Sequence, residues 1–282
     1  MARVGIIVPT FNSGRTLRAC LASLRAQTIP CKIVVVDNYS VDDTRHIAQQ
    51  FADQLLIRGP ERSAQRNAGA TALPCEVLGF IDSDMVVSST VAEEAALAIA
   101  VGAGAVIVPE VTVGSGFWAS VRAFERSHYT GDDWVEAARF FRRDLFLGLG
   151  GFDEALDAGE DWDLTIRARA LVSIGRTAAS IEHHEGYLSY RAACGKKRRY
   201  AAGLSAFRRK HGGGTLRRAL TRSYMRQPWR LIWPHPVLGL GVVALKSGEA
   251  VAISTQALRL WSHDAAQRAK QSSRVCSFTR HR

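Results

Sequence analysis

The chain has 282 residues, 47% of them hydrophobic, and a formal net charge of +11. That length suits one large α/β domain or a domain with an appendage, the apolar share is that of an ordinary globular protein, and the charge points to anionic partners. Its five cysteines (Cys20, Cys31, Cys75, Cys194, Cys276) are odd in number and form no CxxC pair, which argues against a zinc site or disulfide framework and for a reducing cytoplasm.

The apolar opening Val4-Gly5-Ile6-Ile7-Val8 runs into Pro9-Thr10, too short for a signal peptide, and reads as the first strand. Ser13 is placed to cap a helix through Leu17, Cys20, Leu21 and Leu24, apolar at i, i+3, i+4 and i+7. Residues 31–37 read as a buried β-branched strand ending in Asp37, residues 41–51 as a short helix, and residues 54–57 as a third strand. Ser63 caps a helix carrying Arg66 and Asn67. Residues 77–85 are an apolar strand ending in Asp82-Ser83-Asp84. If strand geometry continues that far, the two acids project to one side. Ligands collect at the carboxyl ends of such strands, and two carboxylates there suit a hard divalent cation; a solvated turn is the alternative.

Thr90 with Glu93 predicts a capping box opening a helix over residues 91–100, and residues 105–108 another strand. Strands alternating with helices argue for βαβ units and a mostly parallel sheet. From 114 to 134 the pattern is irregular and aromatic. Gly150-Gly151-Phe152-Asp153-Glu154 follows, then Glu160-Asp161-Trp162-Asp163 at a helix start, where acids are also favoured by the helix dipole alone. Residues 181–186 read as a late strand end bearing His183 and His184.

These residues resemble a family 2 glycosyltransferase of the GT-A fold, over roughly residues 3–210. Five motifs in order carry the resemblance: Val8-Pro9-Thr10-Phe11-Asn12; Val35-Val36-Asp37-Asn38 with Ser40 and Asp42; Arg66-Asn67-Ala68-Gly69; Asp82-Ser83-Asp84; and the Gly150–Glu154 stretch followed by Glu160-Asp161. The resemblance implies a Rossmann-like, mostly parallel sheet flanked by helices, to which the composition beyond it adds a basic, amphipathic C-terminal helical extension. It implies a nucleotide diphosphate sugar as donor, of the UDP or GDP type. Pro9, Thr10, Asp37, Arg66, Asp82 and Ser83 would contact the donor, Asp37 by accepting a hydrogen bond from the base. Asp84 would bind Mn²⁺ or Mg²⁺, with His183 or His184 as a further ligand; strand neighbours face opposite sides, so only one reaches it. Asp161 would be the base of an inverting transfer, and Gly150, Gly151, Glu160 and Trp162 would meet the acceptor, a hydroxyl of a cell-envelope glycan or polyprenyl-linked saccharide.

Between residues 191 and 230 the chain holds thirteen Lys or Arg residues and no acid. An apolar piece, residues 231–245, follows; it reads as too short to span a membrane but apolar enough to lie in an interface. The expected division is a catalytic domain over 1–210, a basic and amphipathic extension over 211–264, and a disordered tail over 265–282. The 191–245 region is expected to sit on anionic lipid, making the protein cytoplasmic and peripheral on the inner face of the cell membrane. Nucleic acid is not expected, because no recognition motif accompanies the charge. The rival readings are an inactive sugar-nucleotide-binding subunit and a nucleotidyltransferase, which would open with a Gly-rich, Arg-containing phosphate loop.

Overall fold

The computed structural model describes residues 3–221, 225 and 229–255. Strand β1 (Val4–Thr10) is buried along its whole length, as an unbroken apolar run requires when both faces of a sheet are covered. Strands β2 (Cys31–Asp37) and β4 (Val77–Phe80) flank it in parallel, and β3 (Gln54–Ile57) extends the sheet beyond β2. Helices α1 (Leu17–Arg25), α2 (Thr44–Phe51) and α3 (Arg62–Ala72) return the chain between them. Helix α1 buries Leu17, Cys20, Leu21 and Leu24, the stripe read from the sequence. Helix α4 (Val91–Ala100) leads into β6 (Ala105–Ile107). With β8 (Ala138–Arg142) and β9 (Ile174–Arg176), the sheet runs β3-β2-β1-β4-β8-β6-β9. Only β8 is antiparallel to its neighbours.

The parallel strands bring their carboxyl ends to one edge, where Thr10 lies opposite Asp37 and the chain leaving β4 carries Asp82-Ser83-Asp84. Beneath that edge Phe80 packs against Phe146 and Phe152, with ring centroids 5.0 and 4.9 Å away. Beside it, Gly79 permits the close approach of Phe140: a Cβ at Gly79 would lie 2.5 Å from that ring.

Several local expectations are corrected. The central strand stops at Phe80; the Met85 N–H donates to the Asp82 carbonyl (3.1 Å) in a turn. Residues Met85–Val87 then form β5 in a second sheet, β5-β10-β7, with β7 (Glu110–Ser115) and β10 (Ile181–Tyr187). Helix α1 starts after Thr16, with the Ser13 carbonyl accepting from the Leu17 N–H. The N-cap of α3 is Glu61, leaving Ser63 inside the first turn. There is no capping box at Thr90, whose hydroxyl donates to Glu94 while Glu93 accepts from Thr28. The irregular stretch holds the end of β7 and helix α5 (Phe117–Ser127), and β8 and helix α6 (Arg143–Gly148) follow it.

The remaining helices are α7 (Glu160–Arg169), α8 (Tyr190–Leu220), α9 (Trp229–Ile232) and α10 (Pro236–Thr255). Helix α8 runs through the expected boundary at residue 210 and is interrupted at Gly212 (φ 81°). The expected tail at 265–282 lies outside the described residues. By length and composition α10 is long and apolar enough to cross a membrane, which corrects the reading of this piece as too short. It continues past Lys246 and Glu249 because both charges are matched: Lys246 meets Glu125 at 2.6 Å and Glu249 meets Arg122 at 2.8 Å. One face of α10, with Val242 and Leu245, is buried in a cluster with Ala119 and Val121 of α5; Val237, Leu240 and Val251 are exposed.

Candidate active site

Two adjoining cavities open at the carboxyl edge of the sheet. The larger, about 530 Å³, is lined by Pro9, Thr10, Asp82, Ser83, Asp84 and His183 of the predicted residues. The smaller, about 220 Å³, is lined by Asp161 and Trp162. Tyr200 of α8 lines both.

Because the chain turns after β4, Asp82 and Asp84 face different partners. Asp82 accepts from Arg66 (2.7 Å) on one oxygen and from Arg139 (3.2 Å) on the other. Burial favours its neutral form, but the two guanidiniums outweigh that and hold the carboxyl far below the usual range. Asp84 Oδ2 instead lies 3.2 Å from His183 Nε2. His184 points to Glu182 (3.2 Å) on the other face of β10, as strand alternation requires, and does not line the cavity. Among the described residues no three His, Cys, Asp or Glu side chains converge as a metal cage. A hard cation held by Asp84 and His183 would have to take most of its ligands from non-protein oxygens, whereas Asp82 has both oxygens engaged by guanidiniums.

Arg66 is almost fully buried and serves three acids. Its Nη2 holds Asp82, and its Nη1 meets Asp161 at 3.0 Å and Glu160 at 3.2 Å. Burial opposes its charge, but Asp161, Asp82 and Glu160 together push its pKa further up. Arg66 thus stands behind both cavities and ties the acid after β4 to the acid opening α7. Glu160 is also buried (5% exposed), and burial and then Asp161 raise its pKa against the pull of Arg66. Asp161 remains open to solvent, with its side chain 31% exposed.

Three placements differ from expectation. Asp37 is fully buried, with Thr10, the Ser40 N–H and hydroxyl, and Arg45 all donating to it; it braces the strand ends behind the wall of the larger cavity. Arg66 and Glu160 lie in that supporting layer too. Gly150 and Gly151 border neither cavity but a separate hollow with Arg167 and Lys210. Gly151 is there for a turn: its φ is 71°, and a Cβ would come within 2.6 Å of Asn67 Oδ1. Asn67 in turn donates to the Phe152 carbonyl (2.9 Å) and accepts from its N–H (2.9 Å), which locks two of the sequence motifs together.

Sequence reasoning missed Arg62, Gln65, Lys196, Arg199 and Tyr200 in the larger cavity, and Glu110, Arg122, Arg126 and Arg139 in the smaller. A signal existed for one group. Lys196, Arg199 and Tyr200 recur at helical spacing, so part of the basic run is a lining face of α8. Trp162 both lines the smaller cavity and packs against Tyr200 and Phe207, with centroids 6.2 and 6.0 Å away.

The family model for glycosyl transferase family 2 matches residues 5–155. Succinoglycan biosynthesis protein ExoA of Rhizobium meliloti is 28% identical over 186 residues, 57% of this chain and 56% of that protein. Glycosyltransferase AglE of Haloferax volcanii is 33% identical over 91 residues, 29% of this chain and 30% of that protein. The chain thus matches between about a third and just over half of these relatives' length. The crystal structure of S. aureus TarS 1–349 in complex with UDP-GlcNAc superposes with a TM-score of 0.57 at 19% identity, covering 90% of each chain, and shares the fold. With more than half its length matched by the family model, the chain belongs to glycosyl transferase family 2.

Proposed function

We propose that the protein is an inverting, metal-dependent glycosyltransferase. It moves a sugar from a nucleotide diphosphate donor of the UDP or GDP type to a hydroxyl of a cell-envelope glycan or lipid-linked saccharide. The carrying observation is the Arg66 bridge, which sets Asp161 in one cavity against the Asp82–Asp84 turn of the other. Donor and acceptor then meet at a shared wall.

In this reading the donor occupies the larger cavity, with Pro9, Thr10 and Ser83 along the nucleotide and the cations Arg62, Lys196 and Arg199 near its phosphates. Asp84 and His183 would hold Mn²⁺ or Mg²⁺, which when bound offsets charge on the departing diphosphate. Asp161 takes the proton of the acceptor hydroxyl as its oxygen bonds to the anomeric carbon, while the bond from that carbon to the diphosphate oxygen breaks on the opposite face. Arg66 orients Asp161 through their 3.0 Å contact, and Trp162 forms the acceptor-side wall. The names of the relatives support the donor and acceptor classes: TarS is described in complex with UDP-GlcNAc and as a poly(ribitol-phosphate) β-N-acetylglucosaminyltransferase, and ExoA as a succinoglycan biosynthesis protein.

The reading extends to a cytoplasmic enzyme resting on anionic lipid. It is supported by the exposed Trp229, Trp233, Val237 and Leu240 beside the basic stretch, since aromatic and aliphatic side chains bind the headgroup boundary and cations its charge.

A thermal-shift panel of UDP- and GDP-sugars, with and without Mn²⁺, tests the donor assignment, because a ligand that binds only the folded state raises its melting temperature. A metal-dependent rise with one nucleotide family is expected. No rise with any nucleotide sugar refutes it.

A further inference from the structure

The smaller cavity has more cationic character than a neutral sugar needs. Arg122, Arg126, Arg139 and Lys197 line it, against Glu110, Glu136 and Asp161. Each of those acids is already held by a guanidinium: Glu110 by Arg126 (2.8 Å) and Arg139, Glu136 by Arg176, and Asp161 by Arg66 (3.0 Å). Arg122 and Arg126 stand one turn apart on α5, so their side chains share a face. Two like charges so placed repel, and the carboxylate on each, Glu249 on Arg122 and Glu110 on Arg126, offsets that in part.

Their hydrogen-bonding capacity is also incompletely used. A guanidinium offers five N–H donors. Glu249 takes Nη2 of Arg122 at 2.8 Å and Glu110 takes Nη1 of Arg126 at 2.8 Å. The Nε atoms of both are buried with no hydrogen-bond partner among the described residues, a state that normally costs stability unless something fills it. The 220 Å³ of space equals about seven water volumes, enough for one phosphoryl group and a short polyol or sugar fragment but not for an oligosaccharide.

We infer that this cavity is an oxyanion subsite: the acceptor carries a phosphoryl group that Arg122 and Arg126 bind next to the hydroxyl facing Asp161. Planar guanidinium forks match phosphate oxygens with two parallel hydrogen bonds, so phosphate satisfies both charge and geometry where a hydroxyl satisfies neither fully. The inference deepens the transferase reading by naming the acceptor's chemical class, and it rests on that reading only for what the hydroxyl then does.

Calorimetric titration of the full chain tests it with glycerol, glycerol 3-phosphate and detergent-solubilised farnesyl phosphate, and separately with UDP. A phosphate probe is expected to bind where glycerol does not. Arg126→Gln should weaken it tenfold or more, Arg126→Lys less, and UDP affinity should stay within twofold. Arginine-dependent binding of both phosphates supports a subsite for the phosphoryl group alone; arginine-dependent binding of farnesyl phosphate only supports one supplied by a lipid phosphate. Should Arg126→Gln fail to fold, Arg122→Gln replaces it, because Glu249 keeps Lys246 at 2.8 Å. Binding of neither phosphate, or binding that both glutamine variants retain, overturns the subsite. Failure to bind UDP would instead sink the donor reading and leave the phosphate result standing.

Discussion

Asp163 distinguishes an acid that favours a helix start from one that pins a distant helix. It is fully buried and accepts from Arg167 on its own helix (2.6 Å) and from Lys210 (2.8 Å) and His211 (2.7 Å) on α8. Burial works against its charge, but those three donors outweigh it and hold its carboxyl below the usual range. Asp163→Asn keeps the shape and one acceptor oxygen but turns an amide N–H toward a donor, so about two charge-assisted bonds are lost. At roughly 1.5–3 kcal/mol each, and with partner side chains 13–35% exposed and able to rehydrate, the loss is about 3 kcal/mol at the low end of that range. For a chain of this size that lowers the melting temperature by about 6–12 °C. Hydrogen exchange should show amides of α8 around residues 200–211 losing protection before those of β1 and β4. If the melting temperature falls by only about 1 °C and α8 keeps its protection, the reasoning fails. Asp163 would then contribute no more than the few tenths to about 1 kcal/mol of a charge at a helix N-terminus.

Four further outcomes follow from the site and its supports. Asp161→Asn should cut turnover by about 10²–10⁴, the usual worth of a general base, while nucleotide binding stays within twofold by calorimetry. Asp84→Ala should abolish the metal-dependent part of nucleotide-sugar binding, read as loss of the Mn²⁺-dependent thermal shift. Burial disfavours the Glu110 anion, but Arg139, Arg126 and His183 outweigh this and set its pKa at about 2 against an ordinary 4.5. Its charge therefore stabilises the fold fully above pH 4.5, and this contribution is lost as pH falls toward 2; the urea midpoints of wild type and Glu110→Gln should converge across that window. Gly79→Ala should cost about 1–3 kcal/mol by forcing its methyl against the buried Phe140 ring, measured by urea unfolding.

The agreement between sequence and structure is greatest where the determining interaction is local. The buried stripe Leu17, Cys20, Leu21 and Leu24 and the β-branched runs ending at Thr10 and Asp37 are periodic in the chain itself, so α1, β1 and β2 were legible to within a few residues. Errors cluster where a turn or a distant partner decides. Asp82 and Asp84 would share a face if the strand ran on through them, but the hydrogen bond from the Met85 N–H to the Asp82 carbonyl ends the strand and turns them to different partners within one cavity. At Thr90 the distant partner is Thr28, which takes Glu93 from 65 residues away while the Thr90 hydroxyl turns to Glu94 one turn on.

The amino-acid sequence alone determined the alternation of strands and helices and the order of the five motifs, because apolar period and backbone chemistry act over ten residues or fewer. Tertiary structure alone decided which of the motif residues face open space and which stand behind them. Arg66 sits 16 residues before Asp82 and 95 before Asp161, and only the packing of α3 and α7 onto the same sheet lets one guanidinium join both. Arg139 reaches Asp82 across 57 residues because β8 runs beside β4. Such contacts depend on where elements meet in space, and no spacing along the chain encodes that.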